Sequence, residues 1–222
     1  MQYVEHNRGC QPGWLRKVDK WLGLLLPCRC IVCGLAAPAT GICSECRAGL
    51  PMCTTCCPAC GLPVESDGNL VCGACQGSPP LWNAVWAAAW YDFPIDRLVQ
   101  KFKFQRNLAA GKVLASLLRD RLASARCQRP YQVVPVPLHG WRLYRRGFNQ
   151  AFDIARHICR TLDLTLATHA LRRRRHTRHQ SGLDARQRQH NLDRAFSWHG
   201  PSLAGQRNAL VDDVMTTGST AT

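Results

Sequence analysis

The chain has 222 residues, with 29 Lys and Arg against 14 Asp and Glu, a formal net charge of +15. That length holds one ordinary domain plus a small module, or two small domains, and a hydrophobic content of 46% excludes wholesale disorder. No uncharged run approaches the roughly 20 apolar residues of a spanning helix, so membrane insertion is not expected.

Residues 1 to 27 carry Trp14 and Trp21 among charges and read as an N-terminal helical segment, with helical spacing from Leu15 to Leu26. The apolar stretch Leu22 to Leu26 is too short for the core of a secretory signal. Cys28 follows Pro27 rather than a small residue, which argues against a lipoprotein site. The expected compartment is the cytoplasm.

Twelve of the 14 cysteines lie between Cys10 and Cys75, and only Cys127 and Cys159 lie beyond. In a reducing compartment such crowding points to metal ligation rather than to disulfides. Residues 28 to 80 carry the paired ligands Cys30 and Cys33, Cys43 and Cys46, Cys57 and Cys60, Cys72 and Cys75. Two residues between cysteines let both thiolates reach one tetrahedral ion, and two pairs complete a closed, structural zinc site. One or two zinc ions are expected, supplying the folding energy that so small a head lacks. Cys53 and Cys56 form a competing pair, Cys28 competes with Cys30, and pairing is open between sequential and crossed arrangements. Gly34 and Gly61 fall where a knuckle turns and where a side chain is expected to crowd the sulfurs.

After a linker at Gly77-Ser-Pro-Pro80, the third segment runs from 81 to 222. Ala84 to Tyr91 reads as a β-like apolar run. Ile95 to Phe104 and Leu108 to Ala123 have helical spacing, and Phe148 to Leu162 follows suit. Tyr131 to Leu138 reads as a strand ending in prolines, and Asn208 to Asp213 as a short buried strand ending in two acids. Strands alternating with helices predict an α/β fold, a parallel sheet with helices on both faces.

The most informative segment is Leu210-Val-Asp-Asp-Val-Met-Thr-Thr-Gly-Ser-Thr220. An apolar strand delivers Asp212 and Asp213 to its C-terminal edge, where open α/β sheets bind ligands. Consecutive amides and hydroxyls of Thr216, Thr217, Gly218, Ser219 and Thr220 would form a nest for a phosphate monoester. The two acids are placed to accept hydrogen bonds from ribose hydroxyls. This segment resembles the phosphoribosyl pyrophosphate (PRPP) loop of type I phosphoribosyltransferases. Beyond Val133-Val-Pro-Val-Pro-Leu138 come Arg142, Arg145, Arg146 and Gly147-Phe-Asn-Gln150, where transferases of this kind hold pyrophosphate. Gln180-Ser-Gly-Leu183, Arg186, Arg188 and Asn191 stand in the place of their flexible hood. Arg145, Arg146 and Arg186 are the candidates for stabilising departing pyrophosphate, and so for the catalytic role.

The cysteine head, Phe102-Lys-Phe104, Val134-Pro-Val-Pro-Leu138, Arg146-Gly-Phe-Asn-Gln150, Gln180-Ser-Gly-Leu183 and the terminal loop together resemble the ComF family, most closely its GntX-like members. The resemblance covers roughly residues 28 to 222. It implies a zinc-finger head on a phosphoribosyltransferase-like domain, Mg bound with PRPP, and glycosyl transfer to an acceptor that the resemblance leaves open. It also implies a link to competence or DNA uptake, with single-stranded DNA and other competence proteins as partners. Family members continue past the phosphate loop with a helix and at least one strand, whereas this chain stops at Thr222. A C-terminally truncated domain is therefore expected, its phosphate loop without a supporting helix dipole, which weakens the case for turnover. The rival expectation is a non-catalytic, single-strand-binding protein that keeps the PRPP pocket as a sensor or scaffold. Arginines dense between Arg142 and Arg194, tightest at Arg172 to Arg175, with Trp141, Tyr144 and Phe148 among them, suit a nucleic-acid backbone.

Overall fold

The computed structural model describes residues 28–64, 71–125, 129–174 and 195–215. Expectations that fall on the N-terminal segment, the Gln180 to Asn191 hood with Arg186, and Thr216 to Thr220 lie outside the described residues. The chain divides into two compact units, Met1–Ala48 and Gly49–Thr222.

The first unit holds one cysteine knuckle and a short helix, α1 (Ser44–Ala48). The second unit opens with a second knuckle and its own short helix, α2 (Gly73–Gly77). Its chain then folds back on the knuckle. The Trp82 indole N–H donates to the Ala59 carbonyl at 2.6 Å, and main-chain bonds join Val85 to Pro58, Cys53 to Ala88 and Trp90 to Pro51. The apolar run Ala84 to Tyr91 is therefore not a strand. It makes one isolated bridge, Met52 to Ala89, because its main-chain partners are a cysteine loop rather than a sheet.

Helix α3 (Ile95–Gln105) buries Ile95, Leu98, Val99 and Phe102, the stripe at positions i, i+3, i+4 and i+7 that its sequence predicts. It ends at Arg106 in a left-handed conformation. Asn107 then caps α4 (Leu108–Ser124), its Oδ1 accepting from the Ala110 N–H at 3.0 Å. The two helices pack so closely that a Cβ on Gly111 would lie 2.5 Å from the Phe102 ring.

Strand β1 (Gln132–Pro135) is wholly buried. After it come two helices, α5 (Gly140–Arg146) and α6 (Gln150–Leu162). The segment after β1, expected as a loop, is thus mostly helical. Two three-residue strands, β2 (Leu171–Arg173) and β3 (Phe196–Trp198), pair antiparallel. Along β2 the arginines alternate, Arg172 exposed and Arg173 half-buried, so this basic cluster does not present a single face.

Strand β4 (Asn208–Val211) runs parallel to β1, with Val134 opposite Leu210 and Pro135 opposite Val211. A parallel bridge from Val133 to Leu166 extends the sheet on the other side of β1. Helix α6 covers one face, where Val133, Ala155 and Cys159 pack with Leu164, Leu166, Ala209 and Val211. Because strand residues alternate, Leu210 lies off that contact and is 41% exposed. The strand expected to be buried is half-buried for that reason. The described residues thus comprise a cysteine-rich head and, after it in the chain, a mixed α/β arrangement with parallel strands.

The close α3–α4 contact makes a prediction. Gly111→Ala should lower stability by about 1–3 kcal/mol through overpacking, although alanine is the better helix former by roughly 1 kcal/mol. A fall in the thermal midpoint, partly restored by adding Phe102→Leu, would bear this out. An unchanged or raised midpoint would contradict it.

Candidate zinc centres and ligand-binding edge

Each knuckle follows the same local plan, Cys-x-x-Cys-Gly-Leu. The Gly34 N–H donates to the Cys30 carbonyl and the Gly61 N–H to the Cys57 carbonyl, both at 2.8 Å. The Cys30 N–H reaches back to Leu35 and the Cys57 N–H to Leu62. Both glycines have positive φ, 78° and 76°, which favours glycine over any residue with a Cβ. Crowding of the sulfurs is not the reason. A Cβ at Gly34 would meet nothing within 4 Å, and one at Gly61 would meet the Val85 side chain at 3.1 Å.

The second Cys-x-x-Cys of each module is set on or beside α1 or α2, and it brings two more sulfurs to the knuckle. Cys30, Cys33, Cys43 and Cys46 form one group, and Cys57, Cys60, Cys72 and Cys75 another, with the sulfurs of each within 4.8 Å of one another. Pairing is therefore sequential, and Cys28, Cys53 and Cys56 stand outside both groups. The cross-pair distances are 3.8 Å for Cys33 to Cys43 and 3.7 Å for Cys60 to Cys72. A tetrahedral ion with Zn–S of about 2.3 Å requires an S···S distance of about 3.8 Å. These donors fit zinc.

The thiols are also polarised for it. Burial alone would push Cys30 up, but the main-chain N–H groups of Cys33, Cys43 and Val32 hold it at about 6. Cys57 is likewise held at about 6 against burial by those of Cys72, Cys60 and Ala59, the Cys72 N–H lying 3.3 Å from its sulfur. Burial and neighbouring thiols push Cys46 and Cys75 up to about 12. Four sulfurs packed this tightly need a cation to ionise together.

At the second candidate locus, the C-terminal ends of β1 and β4 meet. The Val136 N–H donates to the Val211 carbonyl at 2.9 Å, which sets Asp212 and Asp213 beside the chain that leads into α5. The two acids differ. Asp213 accepts an ion pair from Lys103 of α3 at 3.0 Å, both side chains being largely buried. Asp212 keeps an open surface, yet protein atoms crowd its other sides. Burial and the Asp213 charge raise it to about 7, against the pull of the Asp213 N–H, Lys103 and Arg173. Water at the open side screens part of that shift.

The Arg146-Gly-Phe-Asn-Gln150 motif is held by contacts of its own. Arg146 donates to Gln150 Oε1 at 3.0 Å and lies over the Phe104 ring. Phe148 packs on Phe102 with ring centroids 5.3 Å apart. Asn149 caps α6 through the Ala151 N–H and ties it to β1 through the Val136 carbonyl. Gln150 is 1% exposed, and its Nε2 has no hydrogen-bond partner among the described residues. Arg145 is exposed and stacks over Trp141 at 4.8 Å. Arg142 and Arg173 feel each other's charge, and Arg173 that of Asp212.

Residues 21–76 match the double zinc ribbon domain family. The chain is 37% identical over 203 residues to the DNA utilization protein YhgH of Escherichia coli K12, covering 89% of this chain and 88% of that protein. It is 36% identical over 205 residues to Competence protein F of Haemophilus influenzae, covering 86% of each. This chain belongs to the ComF family. A third relative, the YhgH protein of Salmonella typhimurium, is 36% identical over 203 residues. No solved structure matches the chain.

Within this ComF chain, the cysteine spacing names the eight residues that the structure gathers into two four-sulfur groups, but it gives no sign of two groups at the strand ends. Lys103 was legible only as part of Phe102-Lys-Phe104, with no signal for the acid it would meet. Arg173 was hidden in an arginine run whose alternation appears only once β2 is formed.

The zinc arrangement predicts two ions per chain by elemental analysis. Cys60→Ser should retain about one and melt earlier, because a lost ligand removes folding energy. Cys159→Ser should retain both. Equal zinc content in the two variants would contradict the assignment.

Asp212 predicts a titration. Its carboxyl should titrate well above 4 and no higher than about 7 by carbon-detected NMR, so the folded chain holds a proton there that the unfolded chain releases near 4. This term favours the fold at acid pH and is lost as pH rises from about 4 through 7. Asp213→Asn should lower the midpoint, and an unmoved midpoint would contradict coupling of the two acids.

Proposed function

We propose that this ComF chain serves DNA utilisation or competence, and that the shared edge of β1 and β4 binds PRPP with Mg as a phosphoribosyltransferase-like site. The carrying observation is the parallel pairing of β1 with β4. It brings the Asp212–Asp213 pair and the arginine-bearing segment Arg142–Arg146 after β1, 66 to 71 residues apart in sequence, to one edge. Opposite charges flank that edge, two acids on β4 and a basic group of Lys103, Arg142, Arg146 and Arg173.

In this reading Asp212 accepts from a ribose hydroxyl, because it has the open surface. Asp213 shares its carboxylate between Lys103 and the second hydroxyl. Thr216 to Thr220 receive the 5-phosphate. Arg145, Arg146 and Arg186 face the pyrophosphate, whose departure from the anomeric carbon they would stabilise. Mg, when bound with PRPP, would neutralise charge between pyrophosphate and ribose oxygens. The residues present fit such a cargo: acids for hydroxyls and cations for phosphates. The double zinc head is a folding device in this account, since four thiolates leave zinc no open position.

A second reading has its own support. Trp141 is 52% exposed and Tyr144 87% exposed on α5, with Arg145 stacked on Trp141. Exposed rings among arginines suit the bases and backbone of single-stranded DNA. Other competence proteins are further proposed partners.

Calorimetric titration with PRPP and Mg tests the first reading. Asp212→Ala should weaken binding about ten- to a hundredfold, the worth of one charge-assisted hydrogen bond of roughly 1.5–3 kcal/mol. Absence of any PRPP binding would remove the transferase-like reading. For the second, single-strand affinity should fall log-linearly with salt, and removing Trp141 and Tyr144 together should weaken it without changing the slope. No binding at low salt would remove it.

A further inference from the structure

The head holds a fifth Cys-x-x-Cys pair, Cys53-Thr-Thr-Cys56, that neither zinc cluster uses. We propose that Cys53 and Cys56 form a thiol–disulfide exchange site for a small carboxylate-bearing disulfide, with Cys56 as the attacking sulfur, Cys53 as the resolving sulfur and Arg121 as the carboxylate-binding group.

Access separates the two cysteines. Cys53 is 2% exposed, and Cys56 is half-buried. Their thiols lie within interaction range of each other, as the two-residue spacing allows. Cys56 lines a cavity of about 200 Å³ together with Thr54, Thr55, Trp86 and Arg121. All of these belong to the second compact unit. Only Cys56 therefore meets a ligand entering the cavity, and only Cys53 stands behind it to complete the exchange.

Arg121 gives the cavity its selectivity. Its Nη2 lies 4.0 Å from the Cys56 sulfur, and its Nε is buried with no hydrogen-bond partner among the described residues. Among those residues no carboxylate forms an ion pair with it. A buried guanidinium N–H beside a thiol, in a cavity that two threonines also line, asks for an anionic acceptor, and a carboxylate answers it with charge-assisted bonds. A metal would not, because only two sulfurs are at hand and the nearest charge is positive.

The exchange balances in two steps. The Cys56 sulfur, its proton passing to solvent, attacks one sulfur of the incoming disulfide, forming a mixed disulfide and releasing one small thiol. Cys53 then attacks the Cys56 sulfur, giving the Cys53–Cys56 disulfide and a second small thiol. The protein loses two electrons and two protons, and the small disulfide gains them.

The test uses the zinc-loaded full chain and two reagents, oxidised glutathione, which bears carboxylates, and cystamine, which is cationic. After alkylation and peptide mass spectrometry, oxidised glutathione should give a Cys53–Cys56 disulfide with zinc content unchanged. Cys53→Ser should stop at a glutathione adduct on Cys56. Arg121→Ala should slow the glutathione reaction by about tenfold, one charge-assisted bond, while leaving cystamine as fast or faster. Free Cys53 and Cys56 after treatment, or an adduct confined to zinc-ligand cysteines with loss of zinc, would overturn the site. Equal slowing of both reagents would overturn the role of Arg121, and the Cys53→Ser arm reads the order of attack without depending on that variant.

Discussion

The main-chain bond from Val136 to Val211 closes the parallel ladder between β1 and β4, and the candidate site at that edge depends on it. Parallel pairing obliges the chain to cross over between the strands. That crossover carries α5, α6 and the β2–β3 pair, which supply arginines to the same end. Helix α6 can cover the sheet only because its apolar stripe, Ile154, Ala155, Ile158 and Cys159, is continuous. Helix α3 then delivers Lys103 to Asp213. Breaking that partly buried pair by removing either member leaves a charge short of its partner, which is costly. Lys103 and Asp213 thus have a structural role, whereas Asp212 is the acid left open.

The head rests on a different force. Its knuckles bury few large apolar side chains, Ile42 in the first and Leu50 near the second, so metal–thiolate bonds stand in for a core. The two modules repeat one hydrogen-bonding plan, and even the isolated bridges that close them, Arg29 to Ala36 and Cys56 to Pro63, occupy equivalent places. The second module is additionally tied to residues 82–90 through main-chain bonds, so zinc there also supports the unit that holds the sheet.

Much of this was legible in the sequence wherever a period or a spacing was long enough to read. Helices α3 and α4 lie within a residue of their predicted ends because their stripes run for several turns. The two four-cysteine groups were readable because Cys-x-x-Cys spacing brings paired sulfurs within reach of one ion. Short elements were not legible: β2 and β3 have three residues each, too few for alternation to show. Helix α5 read as a loop because its seven residues are mostly charged or aromatic and bury none of them. Ala84 to Tyr91 had strand composition but no sheet to join, since strand propensity measures fit to a half-buried surface rather than a backbone preference. The unequal fates of Asp212 and Asp213 depend on a helix more than a hundred residues upstream, which no local pattern encodes.

In the proposed function one edge, formed by β1 and β4, takes the whole of a phosphorylated ribose. A crystal structure of the zinc-loaded chain grown with PRPP and Mg tests this most directly. The ribose hydroxyls are expected at Asp212, the 5-phosphate on the amides of 216–220 and the pyrophosphate toward Arg145 and Arg146. Ligand bound elsewhere on the molecule, with the β1–β4 edge left to solvent, would contradict it.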